Sequence, residues 1–117
     1  TSTLSLSGTT GQSFASTPLS VWNFIVNDAG HVAMQNTDLT IENSLTLNSG
    51  RLMMTNSNLI IEEDAGAIGG TFSTNTMITT DGNSLVTRQA SAAESYFFPL
   101  GDADGTAQYS PINIEFN

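Results

Sequence analysis

Apolar residues in the middle of the chain recur as alternating pairs, with one residue between the two members of each pair. The pairs follow one another every six or seven residues: Val32/Met34, Leu39/Ile41, Leu45/Leu47, Leu52/Met54 and Leu59/Ile61. Alternation with a period of two is typical of β-strands, and the pairs do not supply the spacing of a helical face. Asn, Ser, Gly and Asp, which favour turns, separate the pairs. The pattern predicts short strands joined by tight turns.

The whole pattern repeats after about twenty residues. The phrase NTDLTIE at 36–42 returns as NSNLIIE at 56–62. Two series mark the period, the glycines Gly30, Gly50 and Gly70 and the asparagines Asn36, Asn56 and Asn75. Three short strands and three turns per repeat describe one coil of a β-solenoid. An antiparallel sandwich of short strands is the alternative, but it gives no reason for a glycine every twenty residues.

The predicted fold is therefore all-β, a short parallel β-solenoid of ~20-residue coils followed by a C-terminal β capping or sandwich segment. We expect an N-terminal strand or cap at 1–18, solenoid repeats at 19–88 and the C-terminal β segment at 89–117. Stacking would place equivalent residues in columns about 4.8 Å apart. The expected inward columns are Val32–Leu52–Phe72, Met34–Met54, Leu39–Leu59–Ile78, Ile41–Ile61 and Leu45–Leu85. The asparagine series is expected to form a structural ladder of side-chain amides.

The two ends of such a stack are open sheet edges. The first residues, TSTLSLSG, carry Leu4 and Leu6 in alternation, and the last strand, INIEF, carries Ile112, Ile114 and Phe116. We expect these terminal strands to make contacts between subunits. The expected partners on this interpretation are other copies of the chain, as a homo-oligomer, or neighbouring β modules.

The phrase LTIENSLTLNSGRL and the later Phe98-Pro99-Leu100-Gly101 with Tyr109-Ser110-Pro111 resemble secreted cell-surface proteins of Bacteroidota-type bacteria. In such proteins repetitive β segments precede an FPVG…YxP strand motif. The resemblance covers roughly residues 36–117 and implies an adhesin or structural protein of the outer surface. It also implies an extracellular or cell-surface location.

Charge and cysteine content exclude several classes of function. Eleven acidic residues against two arginines, with no lysine, give a net charge of −9. Such a chain lacks the cationic patch that a nucleic acid or an anionic membrane surface requires. No apolar run approaches the ~18 residues of a transmembrane helix, so we expect no membrane insertion. The absence of cysteine excludes disulfides and thiolate chemistry.

Calcium is the one metal for which the sequence offers ligands. The repeat places Glu42, Glu62 and Asp81 at equivalent outward positions, and Asp102 and Asp104 begin a loop of alternate carboxylates, DADG. Both features have a simpler interpretation, a solvated acidic stripe in the first case and a plain turn in the second. We therefore expect no cofactor, with Ca²⁺ as the alternative.

No catalytic residues are predicted. His31, Arg51 and Thr71 share one repeat position and could form a small polar face, but no base, nucleophile or carboxylate pair completes a site. Trp22 is expected in the core. The predicted function is an extracellular structural or adhesive protein, assembling head-to-tail into a filament through its terminal strands. A carbohydrate-binding module using Tyr96 and Tyr109 is the first alternative, and an enzyme fragment whose active site lies elsewhere is the second.

Overall fold

The computed structural model describes residues 2–15, 17–90 and 94–116. Thr1, Ser16, residues 91–93 and Asn117, which fall within the expected terminal segments, lie outside this description. The chain is a β-solenoid of about five stacked coils of roughly 20 residues, with no helix in the described part. The described residues form fourteen strands, numbered in chain order, in two main sheets and one two-stranded sheet. The predicted fold class is confirmed.

The first main sheet contains the longer strands. Its path is β1 (Thr3–Gly8), β3 (Leu19–Asp28), β5 (Leu39–Ser49), β7 (Leu59–Ile61) and β10 (Val86–Arg88), with β8 (Gly69–Gly70) also paired to β5. All of these pairs are parallel. Parallel neighbours a coil apart are what a solenoid requires, because each coil returns the chain to the same starting direction.

The second main sheet faces the first across the core. Its path is β2 (Gln12–Phe14), β4 (Val32–Gln35), β6 (Leu52–Thr55), β9 (Ile78–Thr80), β12 (Leu100–Asp102) and β13 (Gln108–Tyr109). Every pair is parallel except the last, β12 with β13. The third sheet is the antiparallel pair β11 (Ser95–Phe98) and β14 (Ile112–Glu115).

The core lies between the two main sheets and consists of inward columns. Met34–Met54 and Ile41–Ile61 are confirmed as columns. Their members leave no more than 1% of their surface exposed. Alternation along each strand puts these side chains inward and their neighbours outward.

The other three columns continue differently from the prediction. Leu39–Leu59 is followed by Val86 and not by Ile78, while Val32–Leu52 is followed by Ile78 and not by Phe72. Leu85, expected in the column of Leu45, is instead 65% exposed, and Leu45 pairs with Phe24. The cause is a longer fourth coil.

That coil breaks the period of twenty. Val32 pairs with Leu52, 20 residues on, but Leu52 pairs with Ile78, 26 residues on. The extra residues belong to the segment 62–77, which carries β8. Every equivalence extrapolated beyond Ile61 is therefore shifted.

The first coil begins earlier than the sequence indicates. Residues 1–18 were expected to form a strand or cap outside the repeat, but β1 pairs with β3 and β2 pairs with β4. Thr3 lies opposite Asn23 and Gln12 opposite Val32, both with the offset of twenty. This segment pairs with the same offset as the repeat but lacks the repeated sequence motifs.

Candidate functional site

The N-terminal end of the stack is an open end. Leu4, Phe14 and Leu19 of the first coil are only partly buried against the core. Their register partners in the second coil, Phe24, Met34 and Leu39, are each 0% exposed. Since both sets occupy the same columns, the difference arises because no other described strand packs against the outer side of the first set. An apolar strip remains at this end.

The first coil itself carries no charged side chain. The first charged residue of the chain is Asp28, so all eleven acidic residues and both arginines lie further along. The described part of residues 2–27 therefore presents only main-chain groups, hydroxyls, amides and apolar side chains. In a chain of net charge −9 this is the surface that another copy can approach with the least electrostatic repulsion.

The C-terminal end of the stack, by contrast, is closed by Arg88 and Tyr96. Arg88 pairs with Ile61 and so follows the column of Val21, Ile41 and Ile61. Its guanidinium donates to the carbonyl oxygen of Gly66 at 3.0 Å and to that of Ala65.

The ring of Tyr96 covers this guanidinium. Its centroid lies 4.5 Å from Cζ of Arg88, and the Tyr96 hydroxyl donates to Glu94 at 2.7 Å. Tyr96 is 6% exposed. In the described residues, a cation under an aromatic ring therefore ends this apolar column.

One strand of this closing segment remains apolar and exposed. Ile112, Ile114 and Phe116 are 46%, 41% and 43% exposed. The register of β14 against β11 places Ile112 beside Phe98 and Ile114 beside Tyr96, on one face. The predicted assembly residues thus lie at opposite ends of the stack, Leu4 and Leu6 at the N-terminal end, where Leu6 is 6% exposed, and the other three on the C-terminal segment.

A second surface feature is a row of outward side chains at one corner of the first sheet. Glu62 N–H donates to Ile41 at 3.0 Å and Gln89 N–H donates to Ile61 at 2.9 Å. In a parallel ladder these bonds place Glu42, Glu62 and Gln89 side by side. Trp22 directly follows Val21, the partner of Ile41, and so begins the row.

Trp22 was expected in the core, and this is wrong: the residue is 36% exposed. Val21 and Phe24 point inward, and the register shift between Val21 and Asn23 leaves Trp22 on the outside. Ser20 Oγ donates to Glu42 at 3.1 Å beside it. The Trp22 row therefore combines one aromatic ring with two carboxylates and an amide.

The predicted acidic column is only partly present. Glu42 and Glu62 are neighbours, but Asp81 follows β9 in the second sheet, where its oxygens accept bonds from Asn56 N at 2.9 Å and Ser84 Oγ at 2.6 Å. These bonds hold the pKa of Asp81 below its usual value, with the Ser84 bond the largest cause. The Asp81 carboxylate therefore stabilises the turn that follows β9.

Asp102 and Asp104 lie near Asp81, along a cleft of about 440 Å³. Asp102 Oδ1 accepts the N–H of Asp104 at 2.8 Å, which is the bond of an Asx turn. Within the described residues, no group of three acidic or histidine side chains is close enough together to hold a metal ion. The cleft brings together three predicted ligands without forming a coordination site.

His31 and Arg51 are neighbours as predicted. His31 Nδ1 accepts the main-chain N–H of Arg51 at 2.9 Å. Burial, then the Arg51 charge, lowers the pKa of His31, while Asp28 opposes the shift. Thr71 lies elsewhere, with its N–H bonded to Leu47 in the first sheet. The His31 imidazole thus accepts a hydrogen bond from the main chain at a corner of the stack.

Asp28, which sequence reasoning missed, completes this corner. It is 0% exposed and accepts bonds from Gly30 N at 2.8 Å, Gln12 Nε2 at 3.1 Å and Gly11 N at 3.2 Å. Burial alone would raise the pKa of the Asp28 carboxyl, but the three hydrogen bonds outweigh it and lower the pKa. The only signal in the sequence was an acidic residue two positions before the repeat glycine Gly30.

Two of the three repeat asparagines form the predicted ladder. Asn56 Nδ2 donates to Asn36 Oδ1 at 2.6 Å, and both residues adopt positive φ, 46° and 51°. Asn75 is not part of the ladder, because the longer fourth coil moves it next to Arg51. Among the glycines, Gly50 occupies a turn against Asp28, Gly30 approaches Gly11, and Gly70 instead pairs with Leu47 in the first sheet.

Comparisons of the chain with known protein families, curated proteins and solved structures give no match. In the described residues no helix has the length and apolar character needed to cross a membrane. The ends of the stack and the Trp22 row are the features of this structure that bear on function.

Proposed function

We propose that this protein is an extracellular structural or adhesive surface protein that joins other copies head-to-tail through its terminal strands. The observation that supports this most directly is the inequality of the two ends of the stack. One end is an uncharged, partly uncovered coil, and the other is closed but carries an exposed apolar strand. Composition supports an extracellular setting, since the chain has no cysteine and no lysine.

Unlike ends that fit each other make a heterologous contact, and a heterologous contact that does not close into a ring propagates as a fibre. The solenoid itself supplies the rigid element of such a fibre, because each coil is fixed by main-chain bonds to the next. Its role would be to extend, space or present other parts of a cell surface.

Negative-stain electron microscopy of the purified chain over a range of concentrations tests this function, with analytical ultracentrifugation beside it. We expect fibres, or a concentration-dependent series of oligomers in steps of the 12.3 kDa chain. Compact particles that sediment as monomers at every concentration would refute assembly as the function.

A second function, carbohydrate binding, is favoured by the exposed Trp22. An indole ring stacks on the apolar face of a sugar, and the neighbouring Glu42, Glu62 and Gln89 offer acceptors for hydroxyls. Of the two aromatics predicted for this role, Tyr96 is buried beside Arg88 and Tyr109 is partly buried. The Trp22 row is therefore the better candidate.

Trp22 is the chain's only tryptophan, so its intrinsic fluorescence reports directly on this row. Binding of soluble oligosaccharides would shift or quench the emission, and Trp22→Ala would abolish binding in calorimetry while Tyr109→Ala would not. Unchanged fluorescence across neutral and basic oligosaccharides would rule out the glycan function at this row.

A further inference from the structure

We propose that β14 of one copy pairs, main chain to main chain, with the outer edge of β1 in the next copy. This inference rests on the proposed head-to-tail assembly and specifies the interface that builds it. Four observations carry it: the unpaired main-chain groups of β1, those of β14, the exposed apolar residues of β14 together with the partly covered Leu4 of β1, and the distribution of charge.

β1 has one unpaired edge. Asn23 N–H donates to Ser2 and Ala29 N–H donates to Gly8, so the even-numbered residues of β1 direct their main-chain groups towards β3. Thr3 and Ser5 direct theirs to the other side, where the described residues supply no partner strand. An edge of this kind accepts an added strand.

β14 has the complementary edge. Phe116 N–H donates to Glu94 at 2.9 Å, so residues 112, 114 and 116 bond to β11 in the antiparallel ladder. Asn113 and Glu115 direct their N–H and carbonyl groups outward, where no other strand of the described chain pairs with them. β14 can therefore donate a strand without losing its own partner.

The side chains fit the same pairing. β1 alternates apolar residues at Leu4 and Leu6, and β14 alternates them at Ile112 and Ile114. Pairing the two strands brings the exposed face of β14 next to the end of the core where Leu4 is only partly covered. Pairing would remove apolar surface of both strands from contact with water. This burial is the main favourable term in association.

The distribution of charge favours pairing between β1 and β14. Two copies of net charge −9 repel each other, but β1 carries no charged side chain and β14 carries only Glu115. The last strands of the two main sheets are shorter than the four residues of β14, with three residues in β10 and two in β13. Pairing at β13 would also bring the acidic DADG loop, which precedes this strand, close to the partner.

Proline at an outward-directed position removes one edge donor while leaving the inward ladder intact. The test variants are Ser5→Pro on β1 and Asn113→Pro on β14. Ser5→Ala and Asn113→Ala, which keep the N–H, are the matched controls. Thr3→Pro and Glu115→Pro replace the first pair if circular dichroism shows that either variant is unfolded.

Analytical ultracentrifugation of each variant and of an equimolar mixture gives the test. We expect each proline variant alone to remain a 12.3 kDa monomer, and the mixture to form a 1:1 complex of twice that mass, since each variant retains the edge that the other has lost. The alanine controls should assemble like the unaltered chain.

Three results would overturn the inference. If Asn113→Pro alone dimerises while Ser5→Pro is monomeric, two N-terminal ends meet across a two-fold axis, and assembly survives with a different interface. If the alanine controls lose association as fully as the proline variants, main-chain pairing is not the contact. A monomeric unaltered chain would overturn the proposed function together with this interface.

Discussion

Gly50 shows at the residue scale why the repeat requires a glycine. Its φ is +85°, and a Cβ built there would lie 1.8 Å from the carbonyl oxygen of Asp28 in the preceding coil. Both the left-handed conformation and the close approach of one coil to the next exclude a side chain. The backbone conformation and the close packing of the coils therefore require glycine at this position of the repeat.

Gly50→Ala should destabilise the protein by about 2 kcal/mol or more, since the left-handed conformation alone costs ~1–2 kcal/mol for a non-glycine residue. Gly82→Ala is the matched control, because its Cβ would meet nothing within 4 Å. That change should stay within about 0.5 kcal/mol of neutral. Urea denaturation of both variants measures the difference, and equal stabilities would mean that the corner relaxes around the new methyl group.

His31 should make stability fall as the pH is lowered through its titration range. Its pKa is below the usual 6.5 in the folded state, so the unfolded chain binds the extra proton more readily. The stability due to neutral His31 is therefore complete above pH 6.5 and is lost as the pH falls through the folded pKa. Protonation would also turn Nδ1 from an acceptor into a donor facing the Arg51 N–H.

Thermal unfolding of the unaltered chain and of His31→Asn between neutral and mildly acidic pH tests this. Asparagine tolerates the φ of 77° at this position, so the variant keeps the backbone conformation. The melting temperature of the unaltered chain should fall more steeply with acid than that of the variant. Parallel curves would show that His31 does not titrate on unfolding. Asp28 adds a second loss only below the usual carboxyl pKa of 3.8, because its own pKa is lowered.

At the scale of the element, a column of hydroxyls fixes the turns between the two main sheets. Ser57 is 1% exposed; its Oγ accepts the N–H of Thr37 at 2.9 Å and donates to carbonyl oxygens of Met34 and Thr55. Ser84 does the same one coil later, accepting the N–H of Ser57 at 3.0 Å. The phrases NTDL, NSNL and NSL are thus one turn in three copies.

Ser57→Ala should cost about 1–3 kcal/mol, because the buried Thr37 N–H loses its acceptor. Ser20→Ala removes one exposed hydrogen bond to Glu42 and should cost less than about 0.5 kcal/mol. Chemical denaturation of the two variants compares them directly. A cost for Ser57→Ala no larger than that of the control would show that a water molecule takes over the acceptor role.

Repeated elements were predictable where the repeat is regular. Met34–Met54, Ile41–Ile61 and the Asn36–Asn56 ladder follow from spacing alone, since coils of equal length place equal positions in register. Beyond Ile61 the same extrapolation fails, because the inserted residues change the offset and nothing in the local pattern gives their number. The placements of Phe72 and Asp81 were wrong for that reason.

The candidate sites were less predictable than the fold. The exposure of Ile112 and Ile114 depends on which strand covers which, and alternation alone does not determine that. The Trp22 row combines residues whose spacing is regular with one whose outward direction depends on a register shift. Arg88 at the end of an apolar column could not be assigned before the offset of the last coil was known.

At the scale of the whole molecule, a solenoid is stabilised by contacts between nearest neighbours, so its ends determine its behaviour. The middle coils have a neighbour on each side, and their core residues Phe24, Met34 and Leu39 are fully buried. Among the described residues the first coil has one neighbouring coil, and the last is closed by Arg88 and Tyr96. Local opening should therefore begin at the N-terminal coil.

Hydrogen exchange followed by mass spectrometry tests that order. Main-chain amides of β1 and β2 should exchange faster than those of β3 to β6, because opening the first coil breaks one coil interface, whereas opening a middle coil breaks two. Raising the protein concentration should then slow exchange selectively in β1 and β14, the two strands proposed to pair between copies. Uniform exchange across all strands, unaffected by concentration, would show instead that the stack opens only as a whole and that its first coil is as well covered as the rest.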